Sequence, residues 1–159
     1  MTRTTGTASA ILLALALGSA AEVRPAHARA ADVDVCSLLT SEEAAAALGA
    51  TPEAPKNIPQ HDMGGGALSS ACEYAGGSRR MTLNVIRMPA QMAAIYKSMC
   101  GKKSRDGLSA LGDMSCWYND NHEELQVIKG VTFFSIELRG VGKPTEPIKA
   151  AARHVLNRL

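Results

Sequence analysis

The sequence is short of the marks of common catalytic machinery. It has no G-x-S-x-G nucleophile elbow, no nucleotide-binding glycine motif and no repeat of solenoid type. No two cysteines are spaced C-x-x-C, which removes the usual start of a zinc or dithiol redox site. The apolar run at 8–21 (ASAILLALALGSAA) is too short to span a bilayer as a helix. An excess of charge is missing as well. Of 17 basic and 15 acidic residues, Arg3, Arg24, Arg29 and Glu22 fall in the first thirty, so 14 of each remain beyond them. A neutral remainder gives no support for nucleic-acid or general membrane-surface binding. The basic knot Lys102-Lys103-Ser104-Arg105 has no flanking aromatics and reads as a solvated loop.

What is present begins with targeting. Arg3 supplies a positive start, the apolar run follows, and Ala-x-Ala sites stand at Ala26-His27-Ala28 and Ala28-Arg29-Ala30. This reads as a secretory signal peptide over 1–30, cleaved after Ala28 or Ala30, with an earlier small-residue site near Ala21. The competing reading is an uncleaved N-terminal anchor. No cysteine follows the run in a Leu-x-x-Cys setting, so lipid anchoring has no acceptor. The expected location is periplasmic or secreted, with no membrane anchor after cleavage. The remainder, 31–159, is long enough for one domain with a modest core.

Cys36, Cys72, Cys100 and Cys116 all lie beyond the leader. In an oxidising compartment an even count reads as disulfides, and four cysteines allow three connectivities. Joining neighbours in sequence favours Cys36–Cys72 and Cys100–Cys116, each worth roughly 3–4 kcal/mol on the chain-entropy model. A thiol nucleophile or thiolate metal site is the alternative.

Local signals place the elements. Thr40 and Glu43 form a capping box behind Leu39, and Gly49 can end the short helix that follows. The stretch 51–70, with three prolines and Gly64-Gly65-Gly66, reads as a mobile polar loop. Strands are expected at 71–75 and 80–87, then a helix opened by Pro89 and ended by Gly101. A loop over 107–113 leads to a strand at 114–118. The clearest hairpin joins 123–128 to 131–138 through Lys129-Gly130, which would pair Leu125 with Phe134 and Val127 with Thr132. Leu125, Val127, Phe134, Ile136 and Leu138 then share one face, and Ile128, Val131 and Phe133 the other. Thr145 caps a last helix whose stripe is Ile148, Ala151, Ala152, Val155, Leu156 and Leu159. The expected order is α-ββ-α-βββ-α: an α+β fold with a single antiparallel sheet of about five strands and helices packed on it.

Candidate chemistry is sparse. His61, His122 and His154 remain beyond the leader; His61 lies in the polar loop, His122 in a turn, and His154 beside the last helix's apolar stripe. Asn119 to Glu124 offers oxygens for calcium, but lacks the glycine and distal glutamate of an EF-hand loop. Met81, Met88, Met92, Met99 and Met114 raise copper(I), although methionine is also an ordinary core filler. Glu42 with Glu43, and Glu123 with Glu124, are adjacent and point apart, so neither pair is an acid/base couple. No catalytic residues, cofactor or metal site are assigned.

Several short motifs carry a resemblance: Cys36-x-Leu38-Leu39-Thr40, Ala46-Leu48-Gly49, Cys72-Glu73-Tyr74, and Leu111-Gly112-Asp113 before Trp117. The chain resembles a family of small secreted bacterial proteins and lipoproteins of unknown function, common in actinobacteria and proteobacteria. The resemblance implies a Cys36–Cys72 pair and a PsbP/Mog1-like α+β fold, and carries no catalytic residues. Cys100 and Cys116 and the missing lipid-acceptor cysteine depart from it.

These readings lead to a non-enzymatic, disulfide-stapled exported domain that binds a protein or small ligand, with Ile128, Val131 and Phe133 as its candidate surface. An extracytoplasmic copper or calcium protein is second, using methionines with His61 or His122, and a hydrolase is third.

Overall fold

A computed structural model describes residues 33–159, apart from residue 104. The stretch 1–30, expected to be a signal peptide, lies outside the described residues. The fold is α+β. A 3-10 turn (Val35–Leu38) and α1 (Ser41–Leu48) precede the hairpin arms β1 (Lys56–Gly64), β2 (Ala67–Gly76) and β3 (Arg79–Arg87). Next come α2 (Ala90–Cys100), β4 (Met114–Trp117), β5 (Glu124–Lys129), β6 (Thr132–Arg139) and α3 (Thr145–Arg158). The six strands form one antiparallel sheet in the order β1-β2-β3-β6-β5-β4.

The sheet has one strand more than expected, and the described order is α-βββ-α-βββ-α. The extra strand is β1, in the stretch read as a mobile loop. Its residues show no apolar alternation because β1 is an edge strand, exposed along most of its length. An edge also tolerates Pro59, since only one side of the strand needs its amides, and the register shifts between Ile58 and His61. Gly64, Gly65 and Gly66 all have positive φ and turn the chain into β2, which is twice the expected length.

Alternation on each strand builds two cores. Met81, Leu83, Val85, Leu125, Val127, Phe134, Ile136 and Leu138 face α1 and α3. Ile86, Ile128 and Phe133 face α2. The β5–β6 hairpin turns at Gly130-Val131, one residue later than read, and pairs Leu125 with Ile136 and Val127 with Phe134. Gly130, at φ 60°, supplies the positive φ that the first position of such a turn requires. This register differs from the expected one by two residues. A shift of two preserves the faces, so the division of apolar side chains stands except for Val131, which leaves the strand.

The N-terminal elements are fixed as their sequence specifies. Glu43 donates its backbone amide to Thr40 Oγ1 (3.2 Å) and accepts from the Thr40 amide at Oε2 (2.8 Å), and Gly49 ends α1 in the left-handed region. Cys36 and Cys72 are bonded, with Cα atoms 5.1 Å apart. Tyr74, pointing under the 3-10 turn, donates its hydroxyl to the carbonyls of Leu39 (3.1 Å) and Cys36 (3.2 Å), and burial pushes its phenol up to about 12. At α3 the cap differs from expectation: Pro144 occupies the N-cap and Thr145 is the first helical residue, with no side-chain cap.

Candidate functional site

α2 begins after Pro89, whose fixed φ of −59° suits a helix entry, and its residues divide by side. Ala93 and Cys100 are buried on the sheet, where Met92 and Tyr96 also pack; the Tyr96 ring meets Phe133 edge-on, 5.1 Å between centroids. Cys100 is bonded to Cys116 of β4, which fastens the helix end to the sheet. The outward positions Ile95 and Met99, one helical turn apart, are both more than half exposed.

Both ends of α2 are flanked by further exposed apolar groups. At its start, Met92 and Pro89 lie against Gly65 and Gly66 of the β1–β2 tip, next to Met63. The Met88 amide donates to the Val131 carbonyl (3.0 Å), which places the β5–β6 turn beside the entry to α2. At its end, the Lys103 ammonium stands over the Tyr118 ring at 3.9 Å. Six large apolar side chains are exposed among the described residues, and five of them, Met63, Ile95, Met99, Tyr118 and Val131, lie on α2 or on the segments beside its ends. Each of the five is between 48% and 59% exposed. The methionines concentrate here too: Met63, Met88, Met92, Met99 and Met114, with Met81 alone in the other core.

The charge of this region has one dominant sign. α2 contains no acidic residue, and Lys102, Lys103 and Arg105 follow it. Lys97 is paired with Asp113 (2.8 Å), and this ammonium with the Gly130 amide holds the Asp113 carboxyl below its ordinary range. Arg105 donates to the Ser115 carbonyl (3.3 Å), so the basic knot is partly tied down rather than wholly solvated.

The residues singled out from sequence separate in the structure. Ile128 and Phe133 are 1% and 4% exposed beneath α2 and offer no surface while the helix is in place; Val131 stays exposed, in the turn. The four cysteines form the two favoured disulfides, the chemistry of an oxidising compartment. His122 stacks on Trp117 (4.7 Å), and two side-chain oxygens of the 119–124 turn are bonded within it: Asn119 accepts from the Glu123 amide, and Glu123 accepts from Asn121. His61 is on β1, opposite Ser69. Among the described residues no three His, Cys, Asp or Glu side chains are grouped to hold a metal ion, and no helix there is long and apolar enough to cross a membrane.

One cluster escaped the sequence reading. Glu43 also accepts two bonds from Arg158 (2.6 and 2.8 Å) and lies 2.8 Å from His154 Nδ1. The Arg158 guanidinium first, then the Thr40 amide and His154, hold the Glu43 carboxyl at about 2. Arg158 donates as well to the Leu38 carbonyl (2.8 Å). The cluster borders a groove of about 230 Å³ floored by Ala46, Ala47, Ala150 and Ala151. Its bonds are spent on joining α1 to α3. The capping role of Glu43 was visible in sequence, but its long-range partner carried no local signal.

Fold and sulfur chemistry together define a class: a small α+β domain with one six-stranded antiparallel sheet and two disulfides. No protein-family model, curated protein or solved structure matches the chain.

Proposed function

We propose that this is an exported, non-enzymatic binding module that docks a protein partner on the α2 side of its sheet. The gathering of five of six exposed large apolar side chains around one helix carries the reading. Methionines suit such a surface, because their unbranched, polarisable side chains adapt to a partner. The basic residues after α2 disfavour pairing with a second copy and favour a partner segment whose apolar face is bordered by carboxylates. The secretory leader, the two disulfides and the resemblance to small secreted bacterial proteins support a periplasmic or secreted location.

A photo-crosslinking residue at position 95, compared with one at Arg80 on the polar part of the sheet, tests the docking surface. A protein captured at 95 and not at 80, and no longer captured at 95 when Lys102 and Lys103 are replaced by glutamate, is the expected outcome. Equal capture at both positions overturns the proposal. Export is tested separately by the mass of the secreted chain, expected to begin after residue 28 or 30.

A second reading, copper(I) binding, is favoured by the five methionines around α2. Native mass spectrometry after copper(I) loading, with calcium as a parallel arm, removes it if no ion is retained.

A further inference from the structure

A separate cleft carries its own argument. It measures about 470 Å³ and lies between the 107–113 loop, the end of β5 and α3, lined by Ala110, Gly112, Asp113, Lys129, Arg153 and Asn157 among others. We infer that this cleft binds a small oxyanion, the carboxylate or phosphate group of a low-molecular-weight acid, through Arg153 and Lys129.

The wall of the cleft is built rather than loose. Leu108 and Leu111 anchor the loop in the core. The Asp113 amide donates to the Ile128 carbonyl (2.7 Å), and Ser115 Oγ donates to the Leu108 carbonyl (3.1 Å). Gly112 is pressed so tightly on β5 that a Cβ there would stand 2.6 Å from the Ile128 carbonyl oxygen. Ala110 sits at φ 64°, a conformation that a residue with a side chain keeps only where its surroundings impose it.

The charge balance then selects the ligand. The one carboxylate in the lining, Asp113, is already matched by Lys97 (2.8 Å) and the Gly130 amide (3.0 Å). Lys129 spends one bond on the Leu156 carbonyl (3.1 Å), an uncharged partner at the end of α3. Among the described residues Arg153 makes no hydrogen bond or ion pair. Arg153 thus lines the cleft without an ion-pair partner among the described residues and offers a planar fork suited to bidentate oxyanions, with the Asn157 amide beside it, while Lys129 adds a second positive charge that also acts on Asp113.

Titration of the purified exported protein with inorganic phosphate, and separately with citrate, at constant ionic strength and followed by amide NMR shifts, tests this. Saturable shifts at Gly112, Gly130 and Asn157 are expected in at least one arm, and the arm that saturates tells phosphate from carboxylate. Arg153→Gln removes no bond within the fold and should weaken that binding about tenfold or more, as loss of a charge-assisted fork implies. Arg80→Gln should leave it unchanged. Shifts that never saturate, equal affinity in Arg153→Gln, or an equal loss in Arg80→Gln overturn the inference.

Discussion

The two sides of the sheet are made by the same strands and are finished differently. Phe133 and Phe134 are neighbours in sequence, yet Phe134 enters a core of 23 buried residues and Phe133 one of eight. The larger side is covered by two helices and the 3-10 turn, tied by Cys36–Cys72 and closed by the Glu43–Arg158 ion pair. The smaller side carries one helix, held at its end by Cys100–Cys116. Beyond that helix the strands of this side turn polar, with Thr82, Asn84, Gln126 and Ser135 in place of apolar groups. One side therefore supplies most of the apolar burial that folds the chain. The other needs only to hold a helix, which leaves the outer surface of that helix free of structural duty.

The contrast can be broken by mutation, beginning with the greatest loss. Phe134→Ala should cost about 4 kcal/mol in urea unfolding and Phe133→Ala about 3, because the thinner core around Phe133 relaxes more easily. Equal losses, or a reversed order, would show that the second core is as structural as the first. Removing the disulfides as pairs comes next. On the chain-entropy model, loss of Cys36–Cys72, separated by 36 residues, costs about 4 kcal/mol, and loss of Cys100–Cys116, separated by 16, about 3. Hydrogen exchange should separate them more sharply: without Cys100–Cys116 the α2 amides lose protection while the β3 and β6 amides keep theirs.

Glu43→Gln should cost about 2 kcal/mol at pH 7, the scale of hydrogen bonds to a charged group. The Glu43 carboxyl titrates at about 2 when folded against an ordinary 4.5, so its contribution is complete above pH 4.5. It fades as pH falls from there towards 2, and the gap between variant and wild type should close over that window in acid unfolding curves. The smallest effect on stability belongs to Ile95→Glu, within about 0.5 kcal/mol, since the side chain touches no core. The same change should abolish partner capture by a photo-crosslinking residue placed at Met99, and a large loss of stability would instead assign Ile95 to the fold.

Much of this architecture was legible because its signals are local. The capping box at Thr40 and Glu43, the stripe of α3, and the alternation of β5 and β6 are set by spacings of two to four residues. The faces of the β5–β6 hairpin survived a misplaced turn because side chains alternate with a period of two. β1 was missed for the opposite reason. An edge strand needs neither apolar alternation nor a full set of amides, so Pro59 and the prolines and glycines flanking the strand looked like a loop. The surface around α2 was hidden because nothing in sequence states which element covers Ile128 and Phe133. The Arg158 partner of Glu43 was hidden by distance along the chain.

That distance has a kinetic meaning. A chain that emerges N-terminus first presents α1 and its cap early, but eight residues of helix are marginal alone. The guanidinium that secures α1 is made 115 residues after Glu43. Cys36 can find Cys72 long before that, when only the 36-residue separation between them has to close. Oxidation would then hold the first helix near its future place while the central β3–β6 pairing and α3 are still to come. A disulfide formed at that stage would act as a tether in time, shortening the search that the final helix must complete.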